Sequence, residues 1–336
     1  MPELLAEVTR GAIVESRHYG HVSVCDSDGH LIAYAGEPET VTYMRSAAKP
    51  IQALNVFLSG AYDRFRFTDQ ELAIICSSHY GEPMHTEIIL RILEKLNLPM
   101  EALLCGSPLS VQADLRNRQL WEHHDLKPYN SDCSGKHCGF LASCLAKGYP
   151  IEKYNQLSHP LQRDILEIVS DVTGVPMNDI AIGVDGCGVP VHGIPIRNMA
   201  MAYARITNVE HLPAKYRFGA KAIFTAMNAA PEVVAGTGGF CTELIKNTHR
   251  RLIGKLGAEA IYCVGIKDRN IGIAVKIEDG EYHRPLYPTV ISVLQQLDLL
   301  TREETEALKA FAAPPVINDL GNEVGTTRPA FSLKTI

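Results

Sequence analysis

A serine three residues ahead of a lysine at a helix start brings a hydroxyl and an amine within hydrogen-bond reach. That is one way to make a serine nucleophilic without histidine. Ser46-Ala-Ala-Lys49 has this spacing. It follows a strand-like run over residues 39–45, and Pro50 suits the first turn of a helix expected over residues 47–58. Ser46 then stands where free backbone N–H groups and the helix dipole favour a developing anion. An ordinary N-cap serine accounts for the spacing equally well. A lysine takes a serine proton only when neutral, and its ordinary pKa is about 10.4, so such chemistry calls for burial or a second cation.

Further motifs supply candidate partners. Lys276 interrupts an otherwise apolar strand pattern, Ile271-Gly-Ile-Ala-Val-Lys-Ile277, and must either edge into solvent or point into a site. Ser78 closes the apolar run Leu72-Ala-Ile-Ile-Cys-Ser77, a common place for catalytic groups and also for turn serines. Asp132-Cys-Ser-Gly-Lys-His137 and Asp185-Gly-Cys-Gly188 carry two cysteines set among glycine and polar residues. Zinc favours thiolate and imidazole, but closed zinc sites usually use Cys-x-x-Cys pairs, which are absent. A site here is therefore an atypical one open to water or substrate, or else the two thiols are simply buried. Together the motifs point to an amide hydrolase.

The elements that must position these residues read as strands at both ends and helices between. Strand patterns occupy residues 10–24 and 31–35, with a turn at Ser27-Asp-Gly29, and return over residues 260–266 and 271–277. Ile88, Ile89, Ile92, Leu93 and Leu96 share one face of a helix that Pro83 begins. Further helices are expected over residues 139–146, 160–172, 189–203, 214–228 and 289–300. The expected class is α+β: an antiparallel sheet from residues about 5–36 and 258–288, with a mostly helical insert over about 47–250. Residues 1–336 are read as a single catalytic domain, since no repeat, linker or low-complexity tract divides them. Regular βαβ alternation and phosphate-binding glycine loops are absent, which excludes a doubly wound nucleotide fold.

Composition narrows the class. A chain of 336 residues with 46% apolar and 21% charged residues buries a large core. A net charge of −6 without like-charged runs argues against nucleic acid or anionic membrane as partner. No signal-peptide pattern or spanning apolar segment is read, so the expected compartment is the cytoplasm. Nine cysteines without regular spacing do not form a disulfide framework, and most lie in apolar runs.

Jointly, the motifs resemble the asparaginase II family, the serine–lysine L-asparaginases. Met44-Arg-Ser-Ala-Ala-Lys-Pro50 with Gln52, Ser78-His-Tyr-Gly-Glu82, Cys133-Ser-Gly-Lys-His137 and Asp185-Gly-Cys-Gly188 carry the likeness. Pro231-Glu-Val-Val-Ala-Gly236, Lys276-Ile-Glu-Asp-Gly280 and Asn318-Asp-Leu-Gly321 with Gly325 extend it over nearly the whole chain. The resemblance implies a fold akin to serine β-lactamases and glutaminases. It implies two Ser–Lys tandems, Ser46–Lys49 and Ser78–Lys276, with Lys267 as the alternative to Lys276. It implies a zinc site of Cys133, Lys136 and Cys187, not required for the chemistry itself. Arg45, Asp185 and His137 fall on substrate-binding positions, the first two matching the α-carboxylate and α-ammonium. Asp132 departs from the asparagine expected there. A homodimer is implied as well.

The reading is hydrolysis of L-asparagine to L-aspartate and ammonia through an acyl-enzyme on Ser46, with Lys49 as general base. A glutaminase or β-lactam-recognising enzyme would use the same machinery, since one methylene discriminates by only about 1–3 kcal/mol. A zinc-dependent amidohydrolase with structural serines and a non-catalytic amino-acid-binding protein are the rivals of other classes.

Overall fold

The structure, a computed structural model, describes residues 1–336. Its strands, in chain order, are β1 (Glu3–Arg10), β2 (Ile13–Cys25), β3 (Leu31–Ala35), β4 (Val41–Tyr43), β5 (Ala181–Val184), β6 (Pro190–Pro195), β7 (Leu252–Gly257), β8 (Ile261–Ile266), β9 (Ile271–Ile277), β10 (Pro315–Ile317), β11 (Glu323–Pro329) and β12 (Lys334–Thr335). The chain divides into two compact units, the first of residues 1–47, 194–211 and 243–336, the second of residues 48–193 and 212–242. The fold is α+β with an antiparallel sheet.

The first unit is built on a nine-stranded sheet in the order β10-β11-β1-β2-β9-β8-β7, with β3 also on β2 and β12 on β3. β2 is the long central strand. It pairs antiparallel with β1 on one side and with β9 on the other, where His21 lies opposite Lys276. The sheet thus joins both ends of the chain, as the terminal strand patterns require. The helix Ile196–Thr207 packs on β2, β8 and β9, burying Met199, Ala200 and Tyr203 among its apolar residues. The helix Leu286–Gln296 packs on β9 and β11.

The second unit is mostly helical. Thr68 and Glu71 form a reciprocal capping box that starts the helix Asp69–Ile75. Pro83 opens Pro83–Leu96, which buries the expected Ile88, Ile89, Ile92, Leu93 and Leu96, and Asn97 in the left-handed region ends it. Pro160–Thr173 ends at Gly174, and Ala214–Ala229 packs against Asp69–Ile75. β5 and β6 form an antiparallel pair, Ala181 opposite Gly193.

Three expectations are corrected. Residues 189–203 are a strand followed by a helix: Pro190-Val-His-Gly-Ile is poor helix material, and Pro195 caps the helix that follows. The segment after Ser46 is a 3-10 turn, Arg45–Ala48, and two short helices, Lys49–Gln52 and Leu54–Leu58, interrupted at Ala53. The helix expected from residue 139 starts at Ser134 and runs to Lys147, so Ser134, Lys136 and His137 lie on its first turn. No helix is long and apolar enough to cross a membrane.

Candidate active site

In the first unit, Ser46 sits half-buried in the tight turn Met44–Ala47, closed by the Ala47 N–H donating to Met44 O at 3.0 Å. Arg45 holds φ +48°, a left-handed conformation that costs a non-glycine residue on the order of 1 kcal/mol and is enriched at functional sites. The buried Tyr203 hydroxyl donates to Ala47 O at 2.7 Å and pins the end of the turn. The turn lies against β7: a Cβ built on Gly257 would come within 2.7 Å of Met44 O. Only glycine permits that approach.

Side-chain alternation puts Lys255 on the same face of β7 as Gly257. Lys255 is 0% exposed, and its Nζ donates to Leu256 O at 2.7 Å. Sequence reasoning missed it because Leu252-Ile-Gly-Lys-Leu-Gly257 has no apolar alternation. The usable signal was a lysine between two glycines, next to the strand pattern at residues 260–266. Lys276 is only half-buried on β9, with Nζ donating to Ile277 O. Burial lowers its pKa, and the nearby carboxylates of Glu278, Glu259 and Asp279 oppose that shift.

In the second unit, Lys49 is 1% exposed. Its Nζ donates to Ser77 O at 2.6 Å, Ser78 Oγ at 3.0 Å and Asp132 O at 3.2 Å. The Asp132 carboxylate lies 3.7 Å from Nζ and also 3.7 Å from Cys133 Sγ. Ser78 projects from the loop after Asp69–Ile75. That loop is held by N–H bonds from Ser78 to Val234 O (3.0 Å) and from Tyr80 to Ala235 O (2.8 Å). On its other side the helix Ser134–Lys147 comes very close: a Cβ on Gly135 would fall 1.9 Å from Ile74 O. The serine motif and the cysteine motif are thereby packed together.

Cys133, Asp185 and Cys187 bring ligand atoms within 4.8 Å of one another. Lys136 Nζ donates to Cys187 Sγ at 2.9 Å and lies 3.5 Å from Asp185 Oδ2. The interaction with Cys187, then burial, raises the Cys133 pKa, while the same interaction, with Lys136 and His137 nearby, lowers that of Cys187 despite burial. Burial alone would lower the Lys136 pKa, but Cys133, Cys187 and Asp185 outweigh it and hold it raised. His137 is fully buried. It shares a 2.6 Å hydrogen bond between Nδ1 and the Tyr154 hydroxyl and interacts with Cys187. Two thiols and a carboxylate, with the Lys136 amine against one of the thiols, form a donor set that fits zinc.

Cys133, Lys136, Cys187 and Asp185 are thus gathered in one cluster with His137 alongside. Asp185 therefore shares its carboxylate with the Lys136–Cys187 pair. Lys49 is bonded to Ser78, a contact the sequence spacing did not specify.

A sequence model of L-asparaginase II matches residues 6–329. Among solved structures, a β-lactamase from Mycobacterium bovis aligns over 82% of this chain and 94% of its own, with 12% identity and a TM-score of 0.38. No curated protein sequence matches the chain.

Proposed function

The chain belongs to the L-asparaginase II family, and from that premise we propose that it hydrolyses L-asparagine to L-aspartate and ammonia through a covalent acyl-enzyme. Ser46 Oγ attacks the side-chain amide carbon, and Lys49, once neutral, takes its proton. The tetrahedral adduct collapses as the amide nitrogen gains a proton and leaves as ammonia. Water then attacks the resulting ester, releasing aspartate and restoring Ser46. N–H groups at the start of the following helix are the donors assigned to the oxyanion. Arg45 is assigned to the α-carboxylate, and Asp185 to the α-ammonium.

The observation that carries this reading is the buried Lys49 ammonium hydrogen-bonded to the Ser78 hydroxyl at 3.0 Å. A buried amine paired with a serine, three residues beyond another serine, is the equipment of Ser–Lys hydrolysis. The same bond favours a second reading in which Ser78 is the nucleophile. The second lysine is assigned to Lys255 in preference to Lys276, because Lys255 lies on the strand against which the Ser46 turn packs. The test is ammonia release from L-asparagine and L-glutamine measured side by side. Turnover of asparagine with the higher kcat/KM supports the assignment; turnover of glutamine alone contradicts it.

Zinc, when bound by Cys133, Cys187 and Lys136 with Asp185 adjacent, supplies a fixed positive charge that orients substrate. Cys187→Ser is expected to abolish stoichiometric zinc uptake in metal analysis of the purified protein. KM should rise while kcat stays within about twofold. A collapse of kcat at unchanged KM contradicts the orienting role.

A further inference from the structure

Lys49 is held by acceptors from two separate segments. Ser77 O and Ser78 Oγ lie on the loop after Asp69–Ile75, and Asp132 O lies just before the helix Ser134–Lys147. The residue next to Ser78 bridges these walls. His79, 1% exposed, accepts the Gly81 N–H on Nδ1 at 3.1 Å. Its proton must therefore sit on Nε2, which donates to Ser134 Oγ at 2.8 Å. Ser134 Oγ in turn donates to Tyr129 O at 3.2 Å, so the chain of bonds ends on backbone on both sides.

The surroundings keep this ring neutral. Burial, then the neighbouring His85 and Lys49, lower the His79 pKa well below the ordinary histidine value. His85 stacks on it with centroids 5.1 Å apart. That ring accepts the Glu82 N–H on Nδ1 and so donates from Nε2 to Glu232 O at 3.1 Å, which makes it neutral too.

We propose that His79 is a positioning residue for the Ser–Lys chemistry: a strut fixed in one tautomer that sets the spacing of the two walls around Lys49 through Ser134. The inference rests on the Ser–Lys reading given above. It extends that reading to a residue that touches neither substrate nor Lys49.

The test compares His79→Leu, His79→Gln, Ser134→Ala, the His79→Leu/Ser134→Ala double variant and Lys49→Met. Displacing a catalytic group by about 1 Å costs on the order of 10²-fold. His79→Leu and Ser134→Ala should each lower kcat by about 10- to 100-fold with KM within about twofold. The double variant should be no slower than the slower single, since both remove the shared His79–Ser134 bond. His79→Gln, whose Nε2–H reaches the same point, should recover most of the loss. Independently of activity, 15N spectra should hold His79 in the Nε2–H form from about pH 5 to about pH 9.

Equal losses in Gln and Leu, additive losses in the double variant, or titration of His79 within that range would overturn the strut. A fully active Lys49→Met removes the Ser–Lys reading and the strut with it. An inactive Lys49→Met beside a normal His79→Leu removes the strut alone.

Discussion

Ser46→Ala is expected to lower kcat for ammonia release from L-asparagine by about 10⁴-fold or more, the usual scale for removing a serine nucleophile. Ser46 lies on the surface of its turn, half-buried, so the loss should come without a matching loss of stability. The turn itself is fixed by backbone and by groups elsewhere: the Ala47–Met44 hydrogen bond, the Tyr203 hydroxyl on Ala47 O and the glycine contact at residue 257. None of these uses the Ser46 hydroxyl. An unchanged melting temperature with lost turnover is therefore the expected pattern. Ser78→Ala, which removes an acceptor from Lys49 but leaves Ser77 O and Asp132 O, should cost about 10²-fold, within the range for a proton-transfer partner. The reverse order of losses would transfer the nucleophile to Ser78.

The second large effect is at the lysines. Lys49→Met should lower kcat by about 10⁴-fold and also cost about 1–3 kcal/mol of stability, because the acceptors that face Lys49 Nζ lose a buried donor. Urea unfolding separates that structural cost from the loss of turnover. Lys255→Met should lower kcat by about 10²-fold or more, whereas Lys276→Met should leave it within about threefold. The burial of the two side chains motivates the contrast, 0% exposed for Lys255 against a half-buried Lys276 among Glu278, Glu259 and Asp279. Equal effects at both positions, or the larger one at Lys276, would return the second tandem to the lysine that the sequence pattern favoured.

What the sequence disclosed follows from the range of the interactions involved. Pro83–Leu96, Pro160–Thr173 and Ala214–Ala229 are legible because a starting proline or an apolar face at helical spacing is encoded locally. β2 and β9 are legible for the same reason, through turns at Gly29 and Gly280. β11 is not. Its sequence, Glu-Val-Gly-Thr-Thr-Arg-Pro, has no apolar rhythm, and it is held by pairing with β1 across the whole length of the chain, Ala6 opposite Pro329. β7 escaped for a related reason, since Gly257 answers to packing by a distant turn and Gly254 to the Tyr262 and Leu244 side chains.

The same division holds in the site. Residue types and spacing single out Ser46, Lys49, Ser78 and the two cysteines. Contacts between segments could not be read that way. The Lys49–Ser78 bond, the gathering of Asp185 with Cys133 and Cys187, and the His79–Ser134 bridge each join parts of the chain far apart in sequence.

The most direct test of the central claim is to trap the covalent intermediate. Enzyme mixed with L-asparagine is quenched in acid within the first turnover, digested, and its peptides weighed. A β-aspartyl ester on the peptide carrying Ser46, absent from Ser46→Ala, is the predicted result. An adduct on the Ser78 peptide, or ammonia released in a full first turnover with no acylated peptide, would contradict it.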